Sequence, residues 1–532
     1  MKMSKWISFF SFTITFLFSS CHTSADQPKA PNIIIIYTDD QGYGDVSYLN
    51  PEAKFQTPNM DKIASEGVVF TNGHSSDAAC TPSRYSLLTG RYSWRTSLKK
   101  GVLEADGPCL IEAGRMTIAS LLKANGYNTA MVGKWHLQME FQGERGENRD
   151  WSQPFTQGPT EHGFEYFFGI PASMNYGILT YLENDRVLDP PVLWTKKKPD
   201  TSDRSYGDAI NPKAYRMTPS YENEPGKGGG WVEVAPSFND ELVLETFAAK
   251  AVEFVDRAAK DERPFFLYLP LTSPHLPHCT HPDFRGRSEC GNYGDFMEET
   301  DYRVGQVLDA LEANDIEKNT LVIFSSDNGA ETNYVYQRDT YNHLSSLHFK
   351  GGKRDIYEGG HRVPFLMRWP EMIKPGSTVD IPVCQTDYLA TIAKIIGAEV
   401  PDNAAEDSYS LLPYMTGEVE VEEERGPVIH HSVTGHFAIT DGKWKLNMFR
   451  GSGGSLAPRF IDTQSGEAPY ELYDLESDPG ETTNLYFEHP EVVESLEKKI
   501  TNIIRNGRST PGESQDFEKS NWDQLTWMNV SE

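Results

Sequence analysis

From Pro31 the chain alternates short apolar runs with stretches of helical periodicity. Asn32 to Tyr37 reads NIIIIY, an unbroken β-branched run, and the lack of polar alternation predicts a strand buried on both faces, as in parallel sheets. In TPNMDKIASEG, Thr57 stands as N-cap and Pro58 falls in the first turn. Met60, Ile63 and Ala64 share one face, and Gly67 is the stop. VVF follows as a strand, and Pro82 to Leu88 reads as a helix start. TIASLLKANG (Thr117 to Gly126) predicts a helix leading into the strand YNTAMVG. Farther on, LVLETFAAKAVEFVDRAAK and TDYRVGQVLDALEAN carry helical periodicity, each preceding an apolar strand, Phe265 to Leu271 and Thr320 to Ser326. Strands and helices in this order imply right-handed crossovers and an α/β sheet covered on both faces.

Three regions depart from that pattern. Between Glu140 and about Asn239 periodicity gives way to Gly, Pro, Asn, Trp and Tyr, the composition of binding loops. After the acidic run EVEVEEE, read as a solvated linker, VIHHSVTG, HFAITDG, KWKLNMF and YELYDLE alternate in short segments split by turns. A small antiparallel sheet is expected there, followed by a helix with Val493, Leu496, Ile500, Ile503 and Ile504 on one face. The division expected is residues 31–420 and a smaller α+β domain at 421–532. At the start, Lys2 and Lys5 precede an apolar run of 13 residues, Trp6 to Phe18. A membrane span needs about 20, so residues 1–20 read as a secretory signal and 21–30 as a linker. Ser19 and Ser20 ahead of Cys21 suit bacterial lipoprotein processing, with ordinary cleavage nearby as the alternative. Both routes export the chain, to the periplasm or, through a lipid anchor alone, to the outer membrane or cell surface.

Charge narrows the partners. The 532 residues include 49 Lys plus Arg against 77 Asp plus Glu, a formal charge of −28. Such a chain repels phosphate backbones, and no basic stretch offsets this, which excludes a general nucleic-acid binder. An anionic substrate must then be held by local cations or a metal. Six cysteines in so long a chain form neither a disulfide framework nor a CxxC metal site; Cys279 and Cys290 either pair or remain two loop thiols.

The polar residues gather at the ends of the strands, where active sites of open α/β sheets lie. NIIIIY runs into Thr38-Asp39-Asp40, TLVIFSS into Asp327-Asn328-Gly329, YNTAMVG into Lys134 and His136, and FFLYLPL into His275. Asp39, Asp40, Asp327 and Asn328 are all hard oxygen donors and suit Ca²⁺ or Mg²⁺ rather than zinc. Three carboxylates and a divalent cation leave about −1, so Arg84, Lys134 and Lys353 are candidates to make an anion welcome. In GHSSDAACTPSRYSLLTGR, Cys80 sits just ahead of Thr81-Pro82 at a helix start, facing free N–H groups and the positive end of the dipole. A free buried thiol is the plain alternative.

CTPSR followed by LTGR resembles the signature of the type I, formylglycine-dependent sulfatases, C-x-P-S-R-x-x-x-L-T-G-R, at Cys80, Pro82, Ser83, Arg84, Leu88, Thr89, Gly90 and Arg91. IIYTDDQGYGD, GYNTAMVGKWHL, HGFEYFFGIPAS, SPHLPH, SSDNG, GGKRDIYEGGHRVP, TDYLATI and ELYDLESDPGETTNL resemble further landmarks in family order. The resemblance implies an alkaline-phosphatase-like α/β core with a large central, mixed but mostly parallel sheet. It also implies a smaller C-terminal α+β domain with an antiparallel sheet. It implies conversion of Cys80 by a maturation enzyme to Cα-formylglycine, whose hydrate is the nucleophile, and one Ca²⁺ on Asp39, Asp40, Asp327, Asn328 and the formylglycine oxygen. Arg84 would polarise the nucleophile, and Lys134, Ser173 and Lys353 would hold the sulfate. His275 would protonate the leaving oxygen, and His136 would take the proton of the second hydroxyl.

The implied substrate is a sulfated oligo- or polysaccharide: ulvan or a galactan, a glycosaminoglycan or a mucin glycan. A formylglycine-dependent phosphodiester or phosphonate ester hydrolase and a non-catalytic glycan-binding lipoprotein are the competing readings. His162, His278, His343 and His348 are candidate sugar contacts, against a plainer reading as surface or capping residues. Lys350 and Arg354 flank Lys353, and Tyr166, Phe167 and Phe168 read as core.

Overall fold

A computed structural model of the chain describes residues 30–145, 147–196, 231–418, 424–517 and 522–529. The signal segment, Cys21, most of the Gly-rich GKGGGW stretch and the acidic run near Glu422 lie outside the described residues, as does the anticipated boundary at 420/421. Residues from Pro31 onward form one compact unit. No described helix is long and apolar enough to cross a membrane.

Ten strands build the central sheet. They are β1 (Asn32–Asp39), β2 (Val68–Phe70), β3 (Asn128–Lys134), β4 (Tyr166–Ile170), β5 (Leu182–Glu183), β6 (Arg186–Val187), β7 (Phe265–Pro274), β8 (Thr320–Ser326), β9 (Phe365–Arg368) and β10 (Ser377–Val379). The order is β10-β2-β9-β8-β1-β7-β3-β4-β5-β6. The middle five, β8 to β4, run parallel, with Ile33 opposite both Leu321 and Phe266, while β9 and β5 join antiparallel. The sheet is therefore mixed but mostly parallel.

The isoleucines of β1 explain its central place. Ile33, Ile35 and Tyr37 point into one core, with α2 (Cys80–Thr89), α3 (Ile118–Ala124) and α6 (Tyr388–Ile396). Ile34 and Ile36 point into the other, with α1 (Pro58–Ser65), α4 (Val243–Ala258) and α5 (Gly291–Ala313). All four isoleucines are fully buried, and at about 1.5–3 kcal/mol each they hold the strand whose end carries Asp39.

The C-terminal elements form a second, four-stranded antiparallel sheet: β11 (Val428–His431), β12 (Phe437–Asp441), β13 (Trp444–Asn447) and β14 (Glu471–Asp474). The amphipathic helix α7 (Pro490–Asn506) packs Val493, Leu496, Ile500, Ile503 and Ile504 against it. Tyr92 and Trp94, just after the LTGR segment, enter that same core, and Arg95 forms a buried bidentate pair with Asp407.

Several boundaries differ from expectation. Helix α2 begins at Cys80 itself, two residues ahead of Pro82. Proline fits the first turn because its missing N–H belongs to the donors left without helical partners there. Helix α5 starts at Gly291, where the glycines and polar residues of GNYGDFMEE hide its periodicity. Cys279 and Cys290 are both buried rather than looped into solvent, and the Cys279 thiol donates to Asp240 at 3.0 Å.

Candidate active site

The sheet delivers its polar residues to one edge under backbone constraint. Just past the ladder of β1, Asp40 takes φ +69°, and just past β3, His136 takes φ +59°. Left-handed backbone is uncommon for residues other than glycine, and it persists where surrounding bonds hold it. Here the Asp40 N–H donates to Asp327 Oδ1 at 3.1 Å, and the His136 N–H donates to Pro171 O at 2.9 Å.

Three carboxylates and three cations interlock at this edge. Lys134 Nζ lies 2.6 Å from Asp39 Oδ2. Arg84 donates from Nε and Nη2 to Asp327 Oδ2 at 3.0 and 2.6 Å, and Nη2 lies 3.6 Å from Asp39 Oδ1. Lys353 Nζ contacts both oxygens of Asp40, at 2.7 and 2.8 Å. Burial opposes the charge on Arg84, yet Asp327 and Asp39 raise its pKa above the ordinary value. Asp327 is itself raised, by burial first and the charge of Asp39 second. The six charges sum to zero.

The donor set fits a hard cation. Asp39 Oδ1 and Asn328 Oδ1 are buried without a hydrogen-bond partner, a costly state for such atoms unless something binds them. Ligand atoms of Asp39, Cys80 and Asp327 lie within 4.8 Å of one another, as do those of Asp39, Asp40 and His275. Asn328 donates through Nδ2 to Asp40 Oδ1 at 2.9 Å, which leaves its Oδ1 as the acceptor. A divalent ion here would turn a balanced site into one of net charge about +2, suited to an oxyanion.

Cys80 opens α2 and is buried. Burial raises its thiol pKa, Lys134 and Lys353 oppose that, and Asp327 and Asp39 add to it, so the side chain stands among the charges just described. His136 Nε2 lies 2.9 Å from Leu103 O, and its Nδ1 is buried without a partner. A proton on Nε2 satisfies that carbonyl and leaves Nδ1 as a base. Burial, then Lys134 and Arg84, hold its pKa well below the usual value. His275 Nε2 is 3.6 Å from Asp40 Oδ2, while Nδ1 bonds Leu276 O. Burial and Lys353 pull its pKa down to about 3, against the charge of Asp40.

Ser173 is buried with no partner for its hydroxyl. Its carbonyl accepts from Tyr176 N–H at 2.9 Å, and the Tyr176 ring lies against both His136 and His275. Thus Asp39, Asp40, Cys80, Arg84, Lys134, His275, Asp327, Asn328 and Lys353 come together, His136 adjoins them, and Ser173 is linked through Tyr176.

Two participants carry no clear mark in the sequence. Glu331, three residues past Asn328, lies 3.4 Å from Lys353 Nζ and pairs with both terminal nitrogens of Arg354. Tyr176, three past Ser173, reads as one more loop aromatic. Lys350 instead bonds Glu481 O at 3.1 Å over the Tyr357 ring. Three of the four loop histidines are not surface residues. His343 is fully buried 2.7 Å from Asp45, His162 stacks on Trp135, and His278 packs on Tyr293 and Phe296. His348 lies beside Phe349. Phe167 and Phe168 are core, as expected.

A second buried cluster, His74, Glu358, His361 and His430, is by residue type a cation site. The Lys445 ammonium occupies that role, 3.0 Å from Glu358, 2.9 Å from Glu481 and 3.1 Å from His361 Nε2.

Comparison with known proteins agrees with this geometry. A sulfatase family model matches residues 31–398, and a model for the C-terminal part of N-sulphoglucosamine sulphohydrolase matches residues 348–506. An N-acetylgalactosamine-6-O-sulfatase of Bacteroides thetaiotaomicron is 32% identical over 89% of this chain and 93% of its own length. Human arylsulfatase A is 33% identical over 88% and 87%. A 6S-sulf structure from work on glycosaminoglycan metabolism by Bacteroides thetaiotaomicron superposes with TM-score 0.73 at 29% identity, covering 89% of this chain and 99% of that one.

Proposed function

The chain belongs to the sulfatase family, which makes it a sulfuric ester hydrolase, and from that premise we propose that it desulfates a carbohydrate through formylglycine at position 80 and a calcium ion. The observation that carries this reading is the burial of Cys80 at the start of α2 among two lysines and two aspartates. Calcium on Asp39, Asp40, Asp327 and Asn328 would draw negative charge toward the sulfate oxygens. Formylglycine, hydrated, would supply a hydroxyl directed at sulfur.

The remaining work falls to this chain's own groups. Arg84, locked on Asp327, orients the nucleophilic position. Lys134 keeps N–H groups beyond the one on Asp39, and these would take the sulfate oxygens with Ser173 Oγ, while Lys353, held between Asp40 and Glu331, adds its positive charge. His275, whose Nδ1–H is held by the Leu276 carbonyl, would take up a second proton at Nε2 when the anionic ester binds and pass it to the departing sugar oxygen. His136 accepts a proton at Nδ1, which has no other partner, so sulfate can leave without water attacking sulfur.

For the substrate, the Bacteroides relatives support an amino-sugar 6-sulfate, such as 6-O-sulfated N-acetylgalactosamine, over the ulvan and galactan suggested by sequence alone. We further propose export by the N-terminal signal, lipidation at Cys21 and maturation of Cys80 by a dedicated enzyme. Incubation with defined sulfated oligosaccharides, read by NMR for the position lost, tests the substrate. Release from the 6-position of N-acetylgalactosamine is the expected result. Formylglycine-bearing enzyme that releases sulfate from no sugar but cleaves phosphonate esters would replace this reading with the phosphonate one.

A further inference from the structure

The turn from Ser173 to Tyr176 holds groups that the steps above leave idle. The Tyr176 ring centroid lies 5.2 Å from that of His136 and 6.5 Å from that of His275. The two imidazoles are buried, whereas Tyr176 is only half-buried. Asn175 beside it has a buried carboxamide oxygen without a partner, and Gly177 takes φ +48° to let the chain leave the turn. Burial and Cys80 raise the phenol's pKa, against Lys353, so the ring stays neutral beside an anionic substrate.

Sulfur must sit between position 80 and His275, so the sugar extends from the His275 side, where Tyr176 is the adjacent aromatic surface. We propose that Tyr176 is the platform for the pyranose that bears the scissile sulfate, its ring packed on the sugar's apolar C–H face. Asn175 Oδ1 accepts a hydroxyl or amide N–H of the same sugar. An axial 4-hydroxyl clears one pyranose face, leaving the hydrogens on C3, C4 and C5 contiguous. Tyr176 therefore selects galacto- over gluco-configured 6-sulfates. This assignment rests on the carbohydrate reading above.

The test compares wild type, Tyr176→Phe and Tyr176→Leu, matched for formylglycine content by mass spectrometry. The readout is kcat/KM on methyl glycosides of N-acetylgalactosamine 6-sulfate and N-acetylglucosamine 6-sulfate. Phe keeps the flat face and should retain the wild-type preference. Leu keeps apolar bulk without the face and should lower the preference about threefold to tenfold, mainly through KM, given the usual worth of an aromatic contact. An unchanged preference in the Leu variant, or equal wild-type turnover of the two epimers, overturns the platform role alone. Wild type that desulfates aryl esters but neither sugar overturns the carbohydrate reading beneath it.

Discussion

His275→Ala should separate substrates by their leaving groups. Nδ1 is committed to the Leu276 carbonyl, so Nε2, 3.6 Å from Asp40, is the nitrogen that can move a proton. The imidazole makes no short ion pair, so its removal should cost about 1–2 kcal/mol of stability and leave the protein folded. Proton transfer from a positioned group is worth about 10²–10⁴ in rate, roughly 3–5 kcal/mol of barrier. A sugar alkoxide needs all of that. A nitrophenolate departs unaided, so its ester should lose about tenfold or less. The assay is kcat/KM for a sugar 6-sulfate and a nitrophenyl sulfate on wild type and variant, with formylglycine content matched and single-turnover rates to confirm that chemistry limits. His136→Ala, run alongside, should slow both esters and leave labelled sulfate on the protein. Equal proportional loss of both esters in His275→Ala, with chemistry limiting, would refute the assignment of the acid.

Cys80→Ser, made without a maturation system that accepts serine, should fold like wild type and be inactive; an active preparation whose peptide mass shows only unmodified cysteine ends the formylglycine mechanism. Exhaustive chelation should abolish activity and calcium should restore it better than magnesium, while undiminished turnover after chelation would remove the metal from the account. Asp39→Ala should lose metal and activity together, as measured by elemental analysis and turnover; Asp327→Ala also strands the buried Arg84, at about 3–5 kcal/mol. Glu299 is fully buried and its carboxyl is pushed up to about 7 by burial, against a bond from the His281 N–H and the charge of Arg303. The folded protein therefore holds a proton there that the unfolded chain releases near pH 4.5. Stability should fall as pH rises from about 4.5 to 7, by on the order of 3 kcal/mol. Melting temperature against pH should flatten in Glu299→Gln, and parallel curves for the two proteins would exclude this proton.

Long regular elements were legible because burial leaves a period in the sequence. The isoleucines of β1, the two-residue alternation of β11 to β13 and the apolar stripe of α7 were all marked this way. Strands β5, β6 and β10 have two or three residues each, too few to express a period, and β9 joins antiparallel beside parallel neighbours. At the site, residues at strand ends could be read because topology sends strand ends to one edge. Glu331 and Tyr176 could not, because their meaning comes from Lys353 and from two histidines more than 20 and about 40–100 positions away. The buried histidines at 343 and 278 mislead for the same reason: the partners of the first, Asp45 and the Tyr293 ring, and of the second, the Tyr293 and Phe296 rings, are known only once the chain has folded.

The burial of Cys80 imposes an order of events in time. Ala78 bonds the carbonyl of His431, and the backbone carbonyl of Ala78 receives the N–H of Arg354. Part of the surroundings that bury Cys80 is thus chain synthesised long after the thiol. Roughly 270 residues separate Cys80 from Lys353, and at about 5–20 residues per second translation needs some tens of seconds to supply them. On the formylglycine reading proposed above, an enzyme that rebuilds this side chain would have that interval, or whatever delay in folding prolongs it, and afterwards would meet a buried thiol. Slowing the arrival of the C-terminal half should raise the modified fraction, and a chain refolded before it meets the enzyme should stay cysteine.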